Sequence, residues 1–205
     1  MRMSNTADTP NKNDIRSART RERVLQAAIG CIYELGLQNT STVEITKRAG
    51  VSRGAMLHHY PSKEDLLGAA YEALLRREAD QFRDVAVDYA DGQVSLEDFL
   101  DYLWSRFSVQ PFAITLDYVV AARTDPNLRG RVEKARKEYD RALNEIWGQF
   151  FTAEGDTEQE AKRKLNLTLS LFRGLGLQLL MQSDRTETDQ LVSEWKSHLK
   201  GLLSG

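Results

Sequence analysis

The chain has one cysteine, four prolines and three histidines in 205 residues. With only Cys31 available, neither an intrachain disulfide nor a cysteine-built zinc site can form, which fits a reducing cytoplasm. Cys31 falls on the apolar side of an expected helix and reads as a small buried hydrophobe rather than a redox centre. His58 and His59 are adjacent, so on a helix they splay about 100° apart, and His198 is distant in sequence; no metal site is expected. An uninterrupted apolar run of membrane-spanning length is missing: the greasiest stretch, 165–181, is broken by Asn166, Arg173, Gly174 and Gly176. The first residues are polar and have no apolar core, so no secretory leader is expected. No segment alternates polar and apolar over strand length, which leads to an all-α class. Enzyme signatures are lacking as well. There is no nucleophile with its base, and Arg173-Gly-Leu-Gly176 has neither a preceding strand nor a Walker lysine. The carboxylates fall in i,i+3 and i,i+4 arrays with Arg and Lys, as on solvated helix faces. No catalytic residue and no cofactor is expected.

What is present suits a folded, soluble protein: 41% hydrophobic residues, 28% charged and a mean hydropathy of −0.50. The net charge of −2 hides an asymmetry. Up to Pro61 nine basic residues face five acidic ones, an excess of +4 that leaves −6 for the remainder. A basic N-terminal part on an acidic remainder suits a protein that meets nucleic acid through that part.

The stretch from Ser41 to Leu67 is the most informative. Ser41 with Glu44 three residues on makes a capping box, so a helix is expected from Thr42, with Val43, Ile45 and Ala49 as its apolar face. Gly50 suits a reversal that needs a positive φ. Val51 is expected as a buried plug, and Ser52 as the cap of a helix from Arg53 to about His59. Gly54 and Ala55 keep the leading turn of that helix slim enough to approach a base edge. Pro61 closes the unit, and Ser62 with Asp65 opens a further capped helix carrying Lys63 in its first turn. Two short helices around a tight turn form a helix-turn-helix, whose second helix enters the major groove.

The run AGVSRGAMLHHYPSKEDLL resembles the DNA-binding domain of the TetR family of transcriptional regulators, over roughly Arg19 to Leu67. The motif residues are Ala49-Gly50-Val51-Ser52, Gly54, His59-Tyr60 and Ser62-Lys63-Glu64-Asp65-Leu66. Two positions depart from the family pattern. Thr46 stands where the family has a small alanine, tolerable if its hydroxyl bonds back to a carbonyl. Leu57 replaces a phosphate-contacting tyrosine, so that role is not carried over. The resemblance implies DNA contacts from Ser41, Thr42, Ser52, Arg53, Gly54, Ala55, His58, His59 and Lys63, with Lys63 on a phosphate and Tyr60 packed in the core. Arg53 either forks onto a guanine or grips a phosphate. Arg16, Arg19, Arg21 and Arg23 either reach phosphates and the minor groove or form a solvated helix end.

Residues 1–15 are expected as a disordered tail, 16–61 as the helix-turn-helix domain and 62–205 as a helical effector-binding and dimerisation domain. Val24, Ala28, Cys31 and Leu35 mark a buttressing first helix that Gly36 stops. Ser95 with Asp98, Pro111, Asp125-Pro126 and Thr157 with Glu160 mark later helix starts. The helix bearing Leu165, Leu169, Phe172, Leu175 and Leu179 also has Leu167, Leu171 and Gly174 on another side, so it needs cover on more than one face. By resemblance it pairs with the last helix and their twofold mates, through Leu169, Phe172, Gly176, Leu179, Leu191, Trp195 and Leu199. By resemblance too, a small-molecule effector of unknown identity occupies the middle helices near Trp104, Phe107, Phe112, Tyr118, Arg123, Trp147 and Phe151, with Arg106 and Asp117 as further polar anchors. The reading is a homodimeric repressor that binds a palindromic double-stranded DNA operator and leaves it when the effector binds, with no membrane association. Competing readings are an activator or ligand-independent DNA binder of the same fold, or an all-α interaction module without DNA binding.

Overall fold

Four of the expected helix starts are built as side-chain caps. Ser95 and Asp98 satisfy each other's backbone N–H groups, and so do Thr157 and Glu160. Asp125 accepts from the amides of Asn127 and Leu128, with Pro126 at the first helical position. Ser62 accepts from the Asp65 amide at 3.0 Å. Each cap satisfies amides that the helix leaves orphaned. The computed structural model describes residues 12–108, 110–151, 155–182 and 184–204. Among these it has nine helices and no strand: α1 (Lys12–Asn39), α2 (Thr42–Ala49), α3 (Arg53–His59), α4 (Lys63–Ala90), α5 (Leu96–Ser105), α6 (Gln110–Ala122), α7 (Pro126–Phe150), α8 (Glu158–Leu179) and α9 (Thr186–Ser204). The all-α expectation holds. Among the described residues no helix is long and apolar enough to cross a membrane.

The chain divides into two compact units, between Ala70 and Tyr71. That lies inside α4 rather than at Pro61, because the first turns of α4 bury Leu66, Leu67 and Ala70. Of the expected tail, residues 1–11 lie outside the described residues, while Lys12–Ile15 are the first turn of α1, where Asp14 suits the positive end of the helix dipole. In α1 the buried stripe is Val24, Ala27, Ala28, Cys31 and Ile32. Leu35 is exposed instead of buried, because Gly36 takes a φ of 75° and turns the chain so that Leu37 fills the core.

In the second unit α6 packs on α7, α7 on α8, and α9 on both α5 and α8. Its core is aromatic: Phe99 stacks on Phe151 with ring centroids 4.1 Å apart, and Trp104 meets Phe172 edge-on at 5.2 Å. At Gly176 α8 lies close against the backbone of Phe107. A Cβ there would lie 2.4 Å from the backbone carbonyl oxygen of Phe107, whereas one at Gly174 would meet nothing within 4 Å. Only hydrogen fits at the first position, while the second has room. Gly176→Ala should therefore destabilise the protein by about 1–3 kcal/mol through overpacking, and Gly174→Ala should leave stability unchanged or raise it by up to about 1 kcal/mol. Urea denaturation of the two variants side by side checks the contrast.

Candidate functional site

Helices of eight and seven residues, the lengths of α2 and α3, do not persist alone. Their ends are therefore tied down by specific bonds. Ser41 caps α2 by accepting from the Glu44 amide at 3.2 Å. Gly50 adopts φ 61° and ψ 42°, and the amides of Gly50 and Val51 close onto Lys47 and Thr46 carbonyls at 3.2 and 3.1 Å. That is a Schellman ending, which only a left-handed residue allows. The Arg23 guanidinium, from α1, donates to the carbonyls of Ala49 and Gly50 and pins the turn from outside. Thr46 donates its hydroxyl to the carbonyls of Thr42 and Val43 at 2.9 and 3.0 Å, the back-bonding that makes it tolerable here. Ile45 and Ala49 are buried as expected, but Val43 is exposed, because it points away from α1 and α3.

In α3 Ser52 accepts from the Ala55 amide at 3.1 Å, and two side chains, Met56 and the following Tyr60, are buried. Everything else on this helix is at least partly open. Arg53, Gly54, Leu57 and His58 are exposed and, at i, i+1, i+4 and i+5, share one face. Ala55 and His59 are half-buried, as are Ser41, Thr42 and Val51; the last is a partial rather than complete plug. His58 and His59 meet edge-on with centroids 5.1 Å apart. His59 is held below the ordinary imidazole value by burial first, then by His58 and Arg21, so its uncharged form prevails at neutral pH. Lys63 is half-buried in the first turn of α4, beside the amides that Ser62 begins to cap. The arrangement is a slender helix held from behind, with three helix N-termini and several cations in the same unit. This is the local chemistry of a phosphate-gripping, groove-reading surface. The role of Arg23 was not visible in sequence, since nothing separates it there from Arg16, Arg19 and Arg21.

The second unit has a cavity of about 410 Å³. Phe107 and Phe112 line it, as expected, and so does Arg106. Trp104, Tyr118, Trp147 and Phe151 do not; they are buried in aromatic packing, Tyr118 against Tyr71 and the other three within the core cluster. Arg123 is exposed at the end of α6 and is not among the lining residues. Aromatics at helical spacing went to the core because burying their area is worth more there than at a pocket wall. The polar lining that sequence reading missed is Glu78, Thr115, Arg136, Tyr139 and Arg173, each polar on a helix that also carries apolar residues and so indistinguishable from a solvated face. Arg106 binds Glu78 with two hydrogen bonds, one of 2.7 Å from Nε. Tyr139 is pushed upward by burial.

The two last helices bury one face and expose another. Leu169, Phe172, Gly176 and Leu199 face inward, in the chain's own core, instead of outward. Leu179 and Trp195 are half-buried, Trp195 donating its indole N–H to Thr168 at 3.1 Å, and Leu191 is exposed. Outward-facing positions on α8 include Leu167, Ser170, Gly174 and Leu177, spaced by three and four residues, and Met181 follows just past the helix end; Leu167 is 61% and Met181 83% exposed.

Residues 24–70 match a family model described as bacterial regulatory proteins, tetR family. The chain is similar to the HTH-type transcriptional regulator CymR of Pseudomonas putida, 28% identical over 176 residues that span 86% of this chain and 87% of that protein. It is also similar to the HTH-type transcriptional repressor AcnR of Corynebacterium diphtheriae, 30% identical over 61% of this chain and 62% of that protein. A solved structure of a TetR-family transcriptional regulator from Mesorhizobium loti shares the fold, with a TM-score of 0.69 and 17% identity over 92% of this chain and 96% of that one. The matched segment contains both helices and the turn between them. Because a single hydroxyl holds the start of so short a helix, Ser52→Ala should cost about 1 kcal/mol. It should also speed hydrogen exchange at Ala55 and Met56 more than in α7, which amide exchange followed by NMR would show.

Proposed function

The chain belongs to the tetR family of bacterial regulatory proteins and is a helix-turn-helix, DNA-binding transcriptional regulator; from that premise we propose that it is a homodimeric repressor that leaves a palindromic operator when a small molecule enters its cavity. The observation that carries the reading is the exposed face of α3, Arg53, Gly54, Leu57 and His58, on a helix fixed from behind by Met56 and Tyr60. In this reading Gly54 and Ala55 leave room for the bases, and Arg53 reaches a base edge. Ser41, Thr42, Ser52 and Lys63 serve the phosphates through hydroxyls, helix N-termini and charge, and His59 through the N–H of its neutral ring. The open face of α8 supports dimerisation. An apolar stripe of Leu167, Leu177 and Met181, interrupted by the small Ser170 and Gly174, suits close pairing with the same helix of a second copy. A twofold dimer presents two α3 helices to two half-sites. The cavity supports an effector, and α4 contributes Lys63 to the first unit and Leu74, Leu75 and Glu78 to the cavity lining of the second. An effector acts by binding the DNA-free state more tightly than the DNA-bound one. The name of AcnR as a repressor favours repression over activation here too.

Footprinting of the purified protein on the DNA upstream of its own gene, followed by a screen of compounds for release, tests the whole reading. A protected inverted repeat is the expected result, and no protected site overturns it. Within that assay Lys63→Ala should weaken all DNA sequences alike and flatten the salt dependence by about one counterion. Arg53→Ala should instead narrow the gap between operator and unrelated DNA by about 1–3 kcal/mol. The double variant Leu167→Asp, Met181→Asp replaces two exposed side chains, so it should keep the thermal unfolding of the fold. It should nonetheless sediment as a monomer and bind the operator at least about tenfold more weakly.

A further inference from the structure

The cavity is not neutral. Three guanidinium groups, Arg106, Arg136 and Arg173, line it, and among the described residues two carboxylates, Glu78 and Asp140, pair with them. Arg106 and Glu78 satisfy each other through two hydrogen bonds, in side chains that are 23% and 11% exposed. That leaves Asp140 to serve two cations. Arg136 takes both of its oxygens, at 3.0 and 3.3 Å, while Nη2 of Arg173 stands 3.8 Å from Oδ1, beyond hydrogen-bond length. Arg173 is about two-thirds shielded from solvent. Its charge is disfavoured by burial and by Arg136, and only partly restored by Asp140. A guanidinium does not deprotonate, so Arg173 keeps its charge with no carboxylate of the described residues at hydrogen-bond distance, which leaves its donors to water or to an anionic ligand. Apart from the hydroxyls of Thr115 and Tyr139, the rest of the lining is apolar, chiefly Leu74, Leu75, Phe107, Phe112, Leu116 and Leu177.

We propose that the ligand of this cavity is a monoanionic organic acid, its carboxylate taken by Arg173 together with Arg136 and its apolar body lying against Phe107, Phe112 and the leucines. This rests on the effector reading given above and names the chemistry of that effector. One excess positive charge matches one carboxylate; a phosphate dianion would overfill it, and a quaternary or primary amine would face two guanidinium groups with no free carboxylate. A carboxylate is also the planar partner that a guanidinium fork binds with paired hydrogen bonds. A volume of about 410 Å³ suits a single substituted ring or a medium-length chain.

The test uses the full-length protein and three matched probe sets: benzoate, phenylacetate, hexanoate and octanoate; their primary amides; and benzyltrimethylammonium. Thermal shift and calorimetry read binding, and release of operator DNA is read separately. At least one acid should bind, with its amide at least about tenfold weaker. Arg173→Met should lose that preference while keeping or raising the stability of the unliganded protein, and Arg136→Met should weaken the same acid. The assignment is overturned if the amides bind as well as the acids, if the ammonium ion binds and no acid does, if no probe binds, or if Arg173→Met leaves acid binding intact. Acid binding that leaves the operator complex intact keeps the ligand class and removes the effector role. Operator release by an amide with no acid binding does the reverse.

Discussion

A seven-residue helix has too few internal hydrogen bonds to offset the entropy of forming it, so α3 exists only because other parts of the chain hold it. The hold is narrow. Met56 and Tyr60 are its buried anchors, Ser52 closes its first turn, and the left-handed Gly50 sets the angle at which the chain enters. Because so little of the helix is spent on anchoring, the opposite face stays open. Burial on one side and exposure on the other are therefore one solution to the same problem. Arg23 adds a second tie by taking the carbonyls at the end of α2, which would otherwise be left without partners.

The second unit meets a different constraint with similar means. From Leu165 onward its α8 carries apolar residues on more than one side, and the chain covers only part of them. Leu165, Leu169, Phe172 and Leu175 take the inner side, and the absence of a side chain at Gly176 lets the helix close onto Phe107. Leu167, Leu177 and Met181 are left outside. Gly174 and Leu177 belong at once to that outer stripe and to the cavity lining. A partner packed on the stripe and a ligand in the cavity would therefore share residues, a direct physical route for one to influence the other. Arg136 and Arg173, unevenly paired with Asp140, line the same cavity.

Local signals were the most legible part of the sequence. Ser41, Ser52, Ser62, Ser95, Asp125 and Thr157 cap helices, and Gly50 takes the left-handed turn, because each depends on neighbours within a few residues. Periodicity was less exact. Leu35 and Val43 lie on apolar stripes and yet are exposed, since the kink at Gly36 and the brevity of α2 shift which face is covered. The cavity was hardest to see: of nine expected residues only Arg106, Phe107 and Phe112 line it. A large aromatic has the same sequence pattern whether its ring fills a core or borders a void, and Trp147 and Phe151 went to the core.

By itself the sequence determined the helical class, the helix-turn-helix and its capped turns, because these follow from hydrogen bonds and backbone preferences that act over three or four residues. Tertiary structure alone decided that Gly176 touches Phe107, that Leu169 and Phe172 look inward while Leu167 looks outward, and that Arg106 at the end of α5, Arg136 in α7 and Arg173 in α8 meet around one void. Those outcomes depend on which faces of distant helices pack together. That choice is made by the summed burial of the whole unit, and no short window of residues encodes it.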